Sequence, residues 1–124
     1  MVIDLGRLDP AGLPDIALIS AVTLAELAAG PLVATDPVER AAREARLRQA
    51  EQDFDPLPFD AAAARVFGQV AADLRATRRT VRARSYDAMI AATAIAHALP
   101  LYTLNPVDLV GISGLDVRVP RLAV

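Results

Sequence analysis

Apolar residues along this chain fall into short compact runs, each followed by a segment with helical spacing. The first such run, IALI at residues 16–19, reads as a buried strand. Ser20 follows as an N-cap, and residues 21–29 are helical by composition, closed by Gly30 and Pro31. Asp36 and Pro37 open a helix that reaches Gln52. Its Glu and Arg residues recur at four-residue spacing, Glu39 with Arg43 and Glu44 with Arg48, which marks a solvated helix held by side-chain pairs. Residues 54–59, broken by Pro56 and Pro58, supply a short strand at most. Asp60 then caps a helix whose Ala64, Phe67, Val70, Ala71 and Leu74 share a face.

The second half turns on residues 85–108, SYDAMIAATAIAHALPLYTLNPVD. Between Asp87 and Asp108 there is no Asp, Glu, Lys or Arg. Pro100, Pro106, Asn105 and His97 interrupt the run, so it is not one membrane span, which needs about 20 apolar residues. It predicts a helix beginning after Ser85, a turn at Leu99 and Pro100, and a short buried strand over residues 101–104 that stops at Asn105. A last strand over residues 115–119 follows Gly111 and Gly114 and ends at Pro120. Short apolar strands alternating with helices predict an α/β domain with an open, mostly parallel sheet flanked by helices.

Composition narrows the chemistry. The 124 residues, 54% of them apolar, predict one domain spanning residues 1–124 with a single core. Without cysteine there are no disulfides or thiolate metal sites. No positively charged leader precedes an apolar core with a cleavage site, so a cytoplasmic protein with no membrane partner is expected. All 13 basic residues are Arg, which removes phosphate-loop lysines, Schiff-base chemistry and the lysine of receiver-type phosphoacceptor domains. The single His, His97, lies late in an apolar helix and reads as structural. Carboxylates are the plentiful catalytic groups that remain.

Three acids stand out by their apolar surroundings. Glu26 is the sole charged residue in 16–30, and its same-face neighbours Val22, Thr23, Ala29 and Gly30 turn it toward the core or a cleft. Asp87 lies in the first turn of its helix, in line with Ile90, Ala91 and Ala94; an acid there either complements the helix dipole or joins a buried site. Asp108 lies just past the 101–104 strand, at the carboxyl end of the sheet where such folds place their sites. Oxygen ligands without imidazole or thiolate suit Mg²⁺ or, in its place, Mn²⁺. Arg75, Arg78, Arg79, Arg82 and Arg84 precede Asp87. They read equally as a polar helix end or as a phosphate-binding rim.

The segments ISAVTLAELAAG and YDAMIAATAIAHALPLYTLNPVDL, and the spacing between them, resemble a PIN domain of the VapC toxin group, the metal-dependent ribonucleases of toxin–antitoxin pairs. The likeness covers residues 16–119. It implies that Glu26 and Asp87 hold the metal, and that Thr103, Asn105 and Asp108 form the final site segment, with Asn105 or Asp108 completing the acidic pocket. It also implies an RNA substrate bound by Arg78, Arg79, Arg82 and Arg84, a VapB-like antitoxin as partner, and a homodimer. The family opens with a central hydrophobic strand ending in Asp followed by Thr or Ser. Here residues 1–4 are too short to supply that strand, and Leu5 and Gly6 follow Asp4. Asp4 is therefore a secondary candidate for the first metal acid. The leading expectation is a Mg²⁺-dependent endoribonuclease toxin in which Glu26, Asp87 and Asp108 converge. The alternative is a catalytically impaired or truncated PIN-like protein acting through antitoxin binding or dimerisation.

Overall fold

A computed structural model of the chain describes residues 2–3, 18–77, 85–103 and 105–119. In order, these form β1 (Val2–Ile3), β2 (Ile19–Ser20), α1 (Ala21–Val33), α2 (Pro37–Asp53), β3 (Pro56–Leu57), α3 (Ala61–Ala76), α4 (Ser85–Ala96), β4 (Leu101–Tyr102), a 3₁₀ turn (Pro106–Leu109) and β5 (Val117–Arg118). Strands β1, β4 and β5 form one parallel ladder in that order, and β2 pairs in parallel with β3. β1 also touches β2, which brings the two ladders side by side. The expected α/β architecture with parallel strands is what the structure contains.

Caps set the helix starts. The Ser20 Oγ accepts the Thr23 N–H at 3.1 Å, Asp36 Oδ1 accepts that of Val38 at 2.9 Å, and Asp60 Oδ1 accepts that of Ala63 at 3.0 Å. Of the two expected pairs on α2, Glu39 with Arg43 is formed. Three expectations are corrected. Gly30 and Pro31 do not close α1, which runs through both to Val33. An Arg43 N–H satisfies the Gly30 carbonyl at 2.9 Å and ties α2 to α1 at this point. The α3 face that is buried passes through Ala63, Val70 and Leu74, and Ala64 is exposed. Finally, a strand does stand near the front of the chain. Val2 lies opposite Leu101 and Ile3 opposite Tyr102, because two residues suffice to pair with the backbone of an otherwise open strand edge.

The main core joins Val70 and Leu74 of α3 to Ala88, Ile90, Ala91, Ala92 and Ala94 of α4, with Leu101, Leu109 and Ile112. A smaller cluster packs Leu24, Leu27, Phe54 and Tyr102 around Ile19 and Ala50. No helix among the described residues is long and apolar enough to cross a membrane.

The exit from α4 fixes where β4 begins. The Leu99 N–H bonds to the Ala94 carbonyl at 2.9 Å and the Ala98 N–H to that of Ile95 at 3.0 Å, the bond pattern of a Schellman cap. Ala98 carries the left-handed backbone such a cap requires, at φ 53°, which disfavours any residue with a Cβ. Ala98→Gly should therefore stabilise the fold by about 1 kcal/mol. Urea unfolding of the two proteins checks this through a higher midpoint at unchanged slope.

Candidate active site at the carboxyl end of β4

The chain leaves β4 through Thr103 and turns into the short helix that carries Asp108. The Thr103 N–H bonds to the Arg118 carbonyl at 3.0 Å, which extends the ladder to β5 by one residue. Its buried hydroxyl oxygen accepts the Asn105 N–H at 3.1 Å, and the Asp108 N–H returns to the Asn105 carbonyl at 3.2 Å. Pro106 suits the first turn, where its missing N–H leaves no bond unmade. A buried Leu109 then pulls the end of this turn into the core.

From the other side, α4 delivers Asp87 in its first turn, half-buried, with Ile90, Ala91 and Ala94 buried along the same line. Asp87, Ile90, Leu101, Thr103, Asn105, Asp108 and Leu109 together line a pocket of about 30 Å³. That volume holds water-sized species. Two of the three acids expected to converge, Asp87 and Asp108, thus share a pocket with Thr103 and Asn105. Ile90, Leu101 and Leu109 form its apolar wall, a role that their core spacing in the sequence does not distinguish from ordinary packing.

Glu26 lies elsewhere. It is exposed, and it opens onto a second cleft with Leu27, Gly30, Arg43 and Arg46, between α1 and α2. The expectation that it faces the core or a cleft is met by this cleft, and the expectation that it converges with Asp87 and Asp108 is corrected. Glu26 does share a helical face with Val22 and Thr23, which are buried, but at its level α1 packs against α2, and it lines the cleft between those helices and not the β4 pocket. Among the described residues no group of three His, Cys, Asp or Glu is placed to hold a metal ion. Asp4, Arg78, Arg79, Arg82 and Arg84 lie outside the described residues.

The donors in the β4 pocket are carboxylate, hydroxyl and amide groups, without imidazole or thiolate. Such a hard-oxygen set fits Mg²⁺ or Mn²⁺ rather than zinc or copper. Two carboxylates facing one water-sized space also favour a cation there on charge alone.

A parallel α/β sheet with an acidic pocket where α4 begins and β4 ends is the arrangement of a PIN domain, and the sequence profile of that domain matches residues 6–107. The chain belongs to the PIN-domain family and, within it, to the VapC group. It is 40% identical to ribonuclease VapC5 of Mycobacterium tuberculosis over 97 residues, which span 78% of this chain and 70% of that protein. It is likewise 40% identical to ribonuclease VapC4 of the same organism over 85 residues, covering 68% of this chain and 63% of VapC4. The matched region is thus less than two thirds of the VapC4 length. The crystal structure of VapBC-5, a member of the VapBC toxin–antitoxin family from M. tuberculosis, superposes with a TM-score of 0.81 at 35% identity, covering 95% of this chain and 96% of that one.

Thr103 supports both the ladder and the turn, so its hydroxyl is the cheapest place to disturb the pocket without touching an acid. Thr103→Val keeps the shape but leaves the Asn105 N–H without its acceptor, and should cost about 1–2 kcal/mol in urea unfolding.

Proposed function

We propose that this chain is the toxin of a VapBC-type pair, a Mg²⁺-dependent endoribonuclease whose metal is held in the pocket of Asp87 and Asp108. The observation that carries this reading is the meeting of these two acids with Thr103 and Asn105 at the carboxyl end of β4. Support comes also from two relatives that are named ribonucleases and from the likeness to VapBC-5. Mn²⁺ substitutes for Mg²⁺ on the same donors.

In this mechanism Asp87 and Asp108 would hold the ion, and Thr103 keeps the turn bearing Asp108 in register with β4. Asn105, exposed and lining the pocket, would hydrogen-bond a scissile phosphate or its attacking water. The bound ion supplies a lowered pKa for water and offsets charge on the phosphate during in-line displacement. By the family resemblance Asp4, outside the described residues, is a secondary candidate for a further acid of the site. The partner is a VapB-like antitoxin, the substrate is RNA, the toxin acts in the cytoplasm, and a homodimer is the expected assembly.

A second reading has its own observation. Two acids line the β4 pocket while Glu26 opens onto another cleft. A site short of anionic ligands binds Mg²⁺ weakly, and such a protein would act by antitoxin binding or dimerisation without cleaving RNA. Asp87→Asn separates the two readings. It should lower Mn²⁺ affinity and metal-dependent RNA cleavage by at least the roughly 10–100-fold typical of losing even a second-layer partner of a metal ligand, with an unchanged circular dichroism spectrum. Glu26→Gln should lose less, because Glu26 does not line the pocket. A parent chain that binds antitoxin yet cleaves nothing with either metal would establish the second reading.

The arginine rim is tested separately. Arg79→Gln combined with Arg82→Gln should weaken RNA binding and reduce the slope of log affinity against log salt by about 1.4, at roughly 0.7 per single-strand phosphate contact. Metal affinity should stay at the parent value. An unchanged slope would return these arginines to the role of a solvated helix end.

A further inference from the structure

The loop after the Asp108 turn is tied back to α3 at two points. Asp73 Oδ2 accepts the Ser113 N–H at 2.9 Å, across 40 residues of chain, while its Oδ1 accepts a Gln69 side-chain N–H at 2.9 Å. Four residues along α3, Thr77 packs under Gly111, where a Cβ would stand 2.7 Å from the Thr77 Cγ2 and the backbone sits at φ +93°. The Thr77 hydroxyl is itself held by the Leu74 carbonyl at 2.8 Å. Leu109 and Ile112, buried between these ties and the pocket, belong to the same core cluster as Leu74. The Ser113 N–H, followed by the Gln69 amide, also holds the Asp73 carboxyl below the ordinary carboxylate range, so Asp73 stays ionised and accepting at neutral pH.

Residues 105–109 are therefore fixed at both ends, by Thr103 on the β4 side and by α3 on the far side. We infer that Asp73, through its bond to Ser113, is a positioning residue that sets where Asp108 stands opposite Asp87. It touches neither the pocket nor any reacting atom. The inference rests on the metal-site reading of that pocket and adds to it a residue remote in sequence from each of its acids.

The test compares the parent with Asp73→Ala, which removes the acceptor, and Asp73→Asn, which keeps a carbonyl oxygen at the same reach. Two readouts need no RNA: hydrogen exchange of the Asn105 and Asp108 amides in metal-free protein, and Mn²⁺ affinity by water-proton relaxation. The Phe54 amide, bonded to Ala50 at the end of α2, is the internal control. In Asp73→Ala, exchange at Asn105 and Asp108 should quicken and Mn²⁺ affinity should fall, each by about three- to tenfold, with Phe54 unchanged. Asp73→Asn should restore both. Unchanged exchange at Asn105 and Asp108 overturns the inference, as does acceleration that includes Phe54 equally, which is general destabilisation. Faster exchange with parent Mn²⁺ affinity also overturns it, since the tie would then hold the loop without placing the acid. If the parent itself binds no Mn²⁺, the metal reading fails instead. The exchange pattern and its rescue by Asn then decide the tie alone.

Discussion

The enclosure of α4 is the constraint on which the rest of the site depends. Ala88, Ile90, Ala91, Ala92, Thr93 and Ala94 are all at most 3% exposed, with α3, α1, β2 and the Asp108 turn packed around them. A helix surrounded in this way has no solvated face, and its sequence accordingly has no charge beyond its first turn. Alanine is what lets the neighbours approach; a larger side chain at these positions would force backbone shifts costing about 1–3 kcal/mol. The one carboxylate of the helix is confined to its N-terminal turn, where the helix dipole favours a negative charge. Asp87 thus occupies the one place on this helix that tolerates an acid, and that place faces the end of β4.

Because α4 cannot shift, its exit determines the register of β4 and of the turn beyond it. The cap at Ala98 reverses the chain in three residues, and Leu101 enters the ladder between β1 and β5 fully buried. Thr103 then continues the ladder by one bond to Arg118 while its hydroxyl begins the next turn. A slip of one residue in β4 would exchange the faces of Leu101, Tyr102 and Thr103 and carry Asp108 out of the pocket. The separation of the two acids is therefore set by backbone pairing and a helix cap, and depends little on the acids themselves.

Much of this was legible in the sequence because it is local. Ser20, Asp36 and Asp60 announce helix starts through side-chain oxygens that reach the next turn, and the structure bonds all three as expected. The charge-free run after Asp87 announced a buried helix. The misplaced features depend on where an element stands in three dimensions. Helical periodicity correctly put Glu26 on the face of Val22 and Thr23, but periodicity carries no signal for which neighbouring element that stretch of α1 meets. Gly30 and Pro31 look like a stop signal, yet packing against Arg43 and a donor to the Gly30 carbonyl offset their low helix propensity. The Asp73 tie to Ser113 joins two exposed-looking polar residues 40 positions apart, and no spacing rule could have found it.

The same distinction governs how charge is divided in the proposed reaction. Every cation in this chain is Arg, whose guanidinium remains charged at any pH at which the fold survives. Phosphate binding by an arginine rim would then respond to salt and hardly to pH. By contrast, an ion held between the half-buried Asp87 and Asp108 would be screened only weakly by salt. In the proposed reading salt would therefore act on how RNA is held and little on whether the pocket holds a cation. A VapB-like partner with an acidic tail would compete through the salt-sensitive part, leaving the carboxylate pocket intact and ready once the tail departs.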